Sequence, residues 1–174
     1  MKNITKIFAL AVVVLGFSST SFAQTPVGVT TTASTSATII TPIAITKTTD
    51  MNFGTIAVSA SGGTVVLAVD NNRTTTGGVT LPNIAGTVTA AKFHVTGLEG
   101  STYSISLPGA PITLVDGASH SMAVGTFVST PTPTGLLGGS GQDINVGATI
   151  TVAAGQTAGL YTNASDLAVT VNYN

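Results

Sequence analysis

The chain has 174 residues, of which 6% are charged and none is cysteine. Ordinary soluble proteins carry about 25% charged residues. This chain therefore lacks the clustered lysines and arginines that bind nucleic acid or anionic membrane surfaces. Without cysteine it has no disulfide and no thiolate metal site, and we expect no lipid anchor attached through a lipoprotein cysteine.

The first 23 residues have the pattern of a secretory signal peptide. A positive n-region with two lysines precedes an apolar h-region over 7–17, and residues 21–23 form a small-x-small cleavage site. We expect cleavage between Ala23 and Gln24, export to the periplasm, the cell surface or the medium, and no membrane insertion afterwards. The three cations and six acids that remain give a formal net charge of −3.

Residues 24–36 are small and polar, and they predict a flexible N-terminal arm. Val27 and Val29 occupy alternate positions in this arm. The rest of the chain, 37–174, has no internal linker and is about the size of one domain. A domain of that size buries enough surface to fold without disulfides.

Apolar residues alternate with polar ones along most of this domain, which is the periodicity of half-buried strands. No segment of the mature chain shows a sustained helical period. We therefore expect an all-β fold, an antiparallel β-sandwich of immunoglobulin-like or pilin-like arrangement. The runs that carry the alternation are Ile39/Ile43/Ile45, Val65/Leu67/Val69, Phe93/Val95, Tyr103/Ile105/Leu107, Ile144/Val146/Ala148/Ile150/Val152 and Leu167/Val169/Val171/Tyr173.

Glycine, asparagine and proline clusters separate these runs and predict turns. The segment 130–133 (TPTP) predicts an extended, edge-breaking loop, because proline cannot donate to a strand ladder. The other predicted turns lie at 61–63, 70–72, 77–78, 97–100, 108–109, 116–117, 138–141 and Gly155.

The titratable side chains do not form a recognisable catalytic motif. His94 alternates with Phe93 and Val95, so we interpret it as a surface histidine. His120 is close to Asp116 in sequence, and a serine brought within hydrogen-bond reach of both would indicate a nucleophilic site. The chain lacks the G-x-S-x-G motif of a nucleophile elbow, however. We therefore expect a protein that is not an enzyme and has no catalytic residues, no cofactor and no metal site.

Two loops that resemble ligand-binding motifs have simpler interpretations. Residues 70–72 carry side-chain oxygens suited to Ca²⁺, but the later bidentate glutamate of a calcium loop is absent. We therefore interpret these residues as an Asx-rich turn. The segment 138–141 lacks the lysine of a phosphate loop and predicts a hairpin loop.

Three residues are predicted to determine the fold. Phe53 is expected to fill the core, and Gly54 to permit a bulge or a close approach of two strands. Tyr161 is expected to pack near the start of the last strand and to hydrogen-bond the backbone through its hydroxyl.

Seven segments in order resemble a known bacterial family, the one described as domain of unknown function 4402. The family is similar to secreted β-sandwich subunits, including spore-coat-U-like proteins and archaic chaperone–usher pilins, although this chain lacks the cysteines of those pilins. The resemblance supplies no catalytic residue. The matching segments are 37–45 (ATIITPIAI), 50–56 (DMNFGTI), 63–69 (GTVVLAV), 91–97 (AKFHVTG), 103–108 (YSISLP), 144–152 (INVGATITV) and 159–174 (GLYTNASDLAVTVNYN).

The leading hypothesis is a secreted structural subunit of the bacterial cell surface or of a pilus-like fibre. It would associate with itself or with other surface subunits by β-strand addition, with the arm 24–36 as donor and the accepting edge near 167–173. A periplasmic chaperone is a further expected partner. The alternative is a monomeric secreted binding module, for example for glycans, which would need an aromatic platform on its loops.

Overall fold

The computed structural model describes residues 27–164 and 167–174, in two units that divide between residues 38 and 39. In the first unit, residues 27–38 are exposed and belong to no helix or strand. The predicted signal peptide and its cleavage site between Ala23 and Gln24 lie outside the described residues. Nowhere in the described ranges does a helix occur that is long and apolar enough to cross a bilayer.

The second unit is all-β, and its antiparallel sheets pack as a sandwich, which confirms the predicted fold class. A seven-stranded sheet contains β1–β4, β6, β7 and β9, and a three-stranded sheet has the order β10-β5-β8. The strands are β1 (Ala44–Thr49), β2 (Ala57–Leu67), β3 (Arg73–Thr80), β4 (Ala91–Thr96), β5 (Thr102–Ser106), β6 (Ile112–Val115), β7 (Ser121–Thr130), β8 (Thr134–Leu136), β9 (Gln142–Val152) and β10 (Thr170–Tyr173).

Strand β9 is the centre of the large sheet. Its five inward residues, from Ile144 to Val152 at every second position, are at most 4% exposed. Strand β7 pairs with one edge of β9 over residues 145–151. Strands β4 and β2 share the other edge, β4 along 142–146 and β2 along 148–152. The large sheet therefore has two halves that meet in the middle of β9.

The three-stranded sheet covers the first of these halves. Tyr103 and Val171 of the small sheet pack with Phe93, Val95, Ile144 and Val146 of the large sheet in one buried cluster. Tyr103 is fully buried, and its hydroxyl donates to Oε1 of Gln142 over 2.8 Å. Burial raises the pKa of this phenol, because the interior disfavours its charged form.

A second core cluster lies on the other half. It joins Val65, Leu67, Val124 and Ile150 with residues of the same sheet, and it includes no residue of β5, β8 or β10 among those described. Phe53, from the segment between β1 and β2, packs onto this cluster and is 8% exposed. The inner face of this half is thus covered by connecting segments rather than by a sheet.

Two predicted turns are wrong. Residues 61–63 lie inside β2 and residues 77–78 inside β3, where the pairing of the two strands shifts register between Val58 and Gly63. Gly63 faces Gly77 across the ladder, and an added Cβ on Gly63 would lie 2.0 Å from the carbonyl oxygen of Thr76. These glycines permit a bulge and a close backbone approach, and not a reversal of the chain.

Other predictions hold in part. Residues 70–72 do form the β2–β3 turn, with Asn71 at φ 69°. Ile39 is 97% exposed and precedes β1, so the first run of alternation begins later than predicted. The last strand begins at Thr170, although Leu167 and Val169 pack against the core. Strand β3 was not predicted, because its threonines and glycines show little apolar alternation.

We predict that Gly63→Ala destabilises the fold by roughly 1–3 kcal/mol, the usual cost of overpacking. The added methyl group has no space beside Thr76. The measurement is the free energy of unfolding in urea. Gly109→Ala is the matched control, because a Cβ at Gly109 meets nothing within 4 Å. Equal effects of the two substitutions would contradict this account of the bulge.

Arg73 holds the segment that carries Phe53. Its guanidinium donates to the carbonyl oxygens of Phe53 and Thr55 over 2.6 and 3.0 Å. Because hydrogen bonds to charged groups contribute more than neutral ones, we expect Arg73→Met to cost roughly 1.5–3 kcal/mol of unfolding free energy. Lys47→Met removes an exposed ion pair with Asp50 and should cost at most about 1 kcal/mol. If Arg73→Met were equally mild, this anchoring role would be wrong.

Candidate functional site

An apolar strip of sheet forms the floor of an open groove in the second half of the sandwich. Strands β6, β7 and β9 present their inward side chains side by side there. Ile112 lies opposite Val124, which lies opposite Ile150 on the next strand. Leu114 and Met122 form the adjacent cross-strand pair. Ile112, Leu114 and Met122 are only half-buried, so the floor is not fully covered.

One wall of the groove is the segment 51–58, between β1 and β2. Asn52 exchanges two backbone hydrogen bonds with Thr89, of 2.8 and 3.0 Å. The amide of Thr55 donates to the carbonyl of Ala85 over 2.7 Å, and Arg73 binds the same segment through the carbonyl of Phe53. This wall is therefore anchored at several points along its length.

The other wall is the segment 156–164, after β9. Thr162 exchanges backbone hydrogen bonds with Val115 of β6. The hydroxyl of Tyr161 donates to the carbonyl of Thr157 over 2.8 Å and accepts from Nε2 of Gln156. The second wall is thus fixed to the floor by backbone pairing, whereas the first wall is fixed to the segment that contains Ala85 and Thr89, and neither needs a bound molecule to hold it.

The groove is large and almost uncharged. Its volume is about 1370 Å³, which exceeds the roughly 300–1,000 Å³ of a typical small-molecule pocket. Lys47 and Asp50 are the charged residues of its described lining, and they form an ion pair with each other. Such a space suits an extended, neutral, partly apolar chain better than a compact charged ligand.

The predicted fold determinants belong to the walls of this groove. Phe53 is buried beside the floor. Gly54 has φ 68°, and a Cβ there would lie 2.3 Å from the carbonyl oxygen of Ala85. Tyr161 lines the opposite wall and hydrogen-bonds backbone within its own loop. These residues shape the groove, whereas Val27 and Val29 of the arm are exposed by 86% and 94%.

The two histidines lie elsewhere and in separate places. His94 is on the outer face of the large sheet, where its Nδ1 is 2.7 Å from Oδ1 of Asp143. Lys92 pairs with the other oxygen of the same carboxylate. Hydrogen bonds from Lys92 and then from His94 lower the pKa of Asp143. This cluster is exposed and is not part of the groove.

His120 and Asp116 close the loop between β6 and β7. Nδ1 of His120 lies 2.6 Å from Oδ2 of Asp116, and the amides of Ala118 and His120 donate to Oδ1. No hydrogen bond joins His120 to a serine in the described part of the chain. Likewise, no three acidic or histidine side chains of the described residues come together in a way that would hold a metal ion.

The β9 residues of the groove floor belong to an alternating run found in the sequence, but the floor residues of β6 and β7 were not found. Ile112 and Leu114 alternate, as do Met122 and Val124, but each run has only two members before a bend or a bulge. The apolar alternation was therefore present in both strands, but each run was too short to distinguish a strand from a loop. The pairing of β6 and β7 with β9, far away in sequence, brings these residues together.

A family model described as a domain of unknown function (DUF4402) matches residues 43–173, about three quarters of the chain. No curated protein matches this chain, and no solved structure does.

We predict that His120→Ala raises the pKa of Asp116. In the native loop the hydrogen bond from His120 is the largest cause that holds this pKa below its ordinary value, and the amide of Ala118 contributes next. The shift should therefore be partial. The measurement is an NMR titration of the carboxyl carbons, and the pKa of Asp143 should not change. An unchanged Asp116 pKa would contradict this account.

The same lowered pKa gives a pH dependence of stability. A carboxyl group whose pKa is lower in the folded state stabilises the fold fully above its unfolded pKa, which is about 4. The contribution of Asp116 is then lost as the pH falls from about 4 through the lowered folded value.

Proposed function

This chain belongs to the DUF4402 family, and we propose that it is a secreted, non-enzymatic structural subunit that associates by β-strand addition. The single observation that carries the proposal is the preformed groove, whose apolar floor has no covering sheet among the described residues. The proposed acceptor is therefore this groove and not the edge near 167–173 expected from the sequence, which belongs to the small sheet. A strand laid over this floor would bury Ile112, Leu114 and Met122. It would cover the inner face of the second half of the large sheet, as the three-stranded sheet covers the inner face of the first half.

The arm has the composition that such a strand needs. Residues 24–38 contain no charged residue, and the described groove lining is also almost free of charge. Within residues 27–38 the apolar side chains fall at odd positions (Val27, Val29, Ala33, Ala37), whereas the even positions are glycine, serine or threonine. Alternation of this kind places one set of side chains on the floor and the other toward solvent. The 13 residues 24–36 span at most about 43 Å when extended.

The second unit begins far from its own groove. The hydroxyl of Tyr173 donates to the carbonyl of Thr41 over 2.8 Å and so holds the entering chain. Ile45 pairs with Val95, which pairs with Gln142 at the start of β9. The groove floor lies at Ile150 and Val152, eight to ten residues further along β9. That separation is roughly 26–33 Å, which is shorter than the extended arm, so the groove of the same chain and that of a neighbouring copy are both within its reach, and the oligomeric state of the mature chain decides between them.

Export supports the same proposal. The n-region, h-region and cleavage site of residues 1–23 favour a location in the periplasm, at the cell surface or outside the cell. A fibre or surface layer of the bacterial cell is the assembly that a neutral, threonine-rich subunit of this kind would build. Other subunits and a periplasmic chaperone are further candidate partners for the same groove.

We predict that Val27→Asp with Val29→Asp abolishes self-association of the mature chain. Burying one valine stabilises by roughly 1.5–3 kcal/mol, so the loss of both weakens association at least about a hundredfold. The measurement is an unboiled SDS gel together with light scattering after size exclusion. Thr30→Asp with Thr32→Asp is the matched control, because it adds the same charge on the opposite side of the arm and should preserve the oligomers.

Three outcomes decide the proposal. A ladder in the wild type and in the control, lost in the valine variant and in a chain lacking 24–36, supports it. A ladder that survives deletion of 24–36 overturns the assignment of the donor. A wild-type chain that remains a monomer at high concentration overturns self-association by strand addition, and would favour the alternative of a monomeric binding module.

A further inference from the structure

A small polar cleft lies on the outer face of the large sheet, where β2 and β4 separate along one edge of β9. Strand β4 pairs with β9 as far as Val146, and β2 pairs with it from Ala148 onward. The space at this fork has a volume of about 320 Å³, which is near the lower end of the roughly 300–1,000 Å³ of small-molecule pockets. We call it the fork cleft, and its lining consists of residues 69–71 and 89–90 with Thr49, Lys92 and Asn145.

The floor of the fork cleft is a cross-strand row of polar side chains. Thr49 lies opposite Lys92, and Lys92 lies opposite Asn145. Asn145 faces outward, because Ile144 and Val146 on either side of it are buried in the core. Within the described part of the chain, the side chains of Thr49 and Asn145 make no hydrogen bond, although both are half-buried. The floor therefore offers polar groups that a ligand can engage.

One wall of the fork cleft is the turn between β2 and β3. Asn71 has φ 69°, and its Oδ1 accepts a hydrogen bond from the amide of Ala90 over 2.7 Å. This bond ties the turn to the start of β4, and it leaves Nδ2 of Asn71 without a partner among the described residues. Val69 and Ala90 add apolar surface to the lining. The wall is thus anchored, and it has both a polar and an apolar part.

We infer that the fork cleft binds a neutral sugar unit. A sugar hydroxyl donates one hydrogen bond and accepts others, so it needs donors and acceptors side by side. The amide of Asn145 supplies both, and Nζ of Lys92 has three N–H donors, of which its bond to Asp143 uses one. Val69 and Ala90 provide a surface for the apolar C–H face of the sugar ring.

The charges at the cleft favour a neutral ligand. The charged residues of its described lining are Lys92 and Asp70, which have opposite signs. Lys92 is paired with Asp143, and both oxygens of Asp70 accept hydrogen bonds from Asn72. A charged ligand would have to compete with these existing partners, whereas a hydroxyl-bearing ligand can use the donors and acceptors that have none.

The fork cleft is separate from the groove proposed for strand addition. Thr49 borders both spaces, but Asn71, Lys92 and Asn145 do not line the groove. A ligand of one sugar ring held by a few hydrogen bonds has a dissociation constant on the order of 1 mM. If subunits assemble as proposed above, many clefts act together on a surface that carries glycans, and the overall binding is much tighter.

The test titrates the full mature chain with the methyl glycosides of glucose, galactose, mannose and N-acetylglucosamine, and it follows backbone amide shifts by NMR. The chain also carries Val27→Asp with Val29→Asp, so that strand addition does not contribute. We expect at least one of these glycosides to shift the amides of Asn71, Lys92 and Asn145 in a saturable manner.

Two variants locate the site. Asn145→Ala removes two hydrogen bonds to the sugar and should raise the dissociation constant at least about fivefold. It should leave the fold intact, because the side chain of Asn145 makes no hydrogen bond in the described structure. The matched control is Asn172→Ala, which removes an exposed asparagine from β10 outside the cleft and should leave the affinity unchanged.

Binding of a neutral glycoside that Asn145→Ala weakens and Asn172→Ala preserves supports the inference. The absence of any shift up to the solubility limit of all four glycosides overturns it, as do shifts confined to other residues or equal weakening by the control. Methyl glucuronide, which adds a carboxylate to the same ring, should bind no better than methyl glucoside, and tighter binding would overturn the preference for a neutral sugar. In the otherwise wild-type chain Asn145→Ala should preserve the SDS ladder, so a lost ladder would also count against a separate site.

Discussion

Everything in this sandwich depends on the register of β9. Its inward residues occupy every second position and are almost completely buried, so a slip by one residue would turn all of them to solvent. Both of its edges are paired, one by β7 and the other by β4 and β2 in succession. Because β9 is paired on both edges and buried on one face, it fixes the register of the strands beside it. The large sheet has two halves because β4 and β2 pair with successive parts of one edge of β9.

The two halves reach different degrees of completion. On the first half, the small sheet closes over Phe93, Val95 and Ile144 and buries Tyr103 with its hydroxyl satisfied. On the second half, connecting segments anchored by Arg73 and by backbone pairs stand where a sheet would lie. Their polar bonds fix the walls but leave the middle of the floor open. The groove is therefore a consequence of the topology, and the functional proposal rests on what would complete it.

The scarcity of charge gives the outer surfaces their character. Lys47, Lys92 and both histidines each have a carboxylate partner, and Arg73 is engaged by carbonyls. Large areas between them are left to threonine, which is hydrated without charge and suits a pleated strand. Neutral surfaces exert no electrostatic repulsion on their own copies.

The sequence by itself determined the all-β class and the burial of the long alternating run in β9, because a period of two reports directly which side of a strand is buried. It misread residues 61–63 and 77–78, because a positive φ at glycine is equally compatible with a turn and with a bulge. The threonines of β3 carried no apolar signal, and the runs in β6 and β7 were too short. Only the tertiary structure decided that these strands join β9, and that the resulting floor stays open, because both depend on pairing between segments distant in the chain.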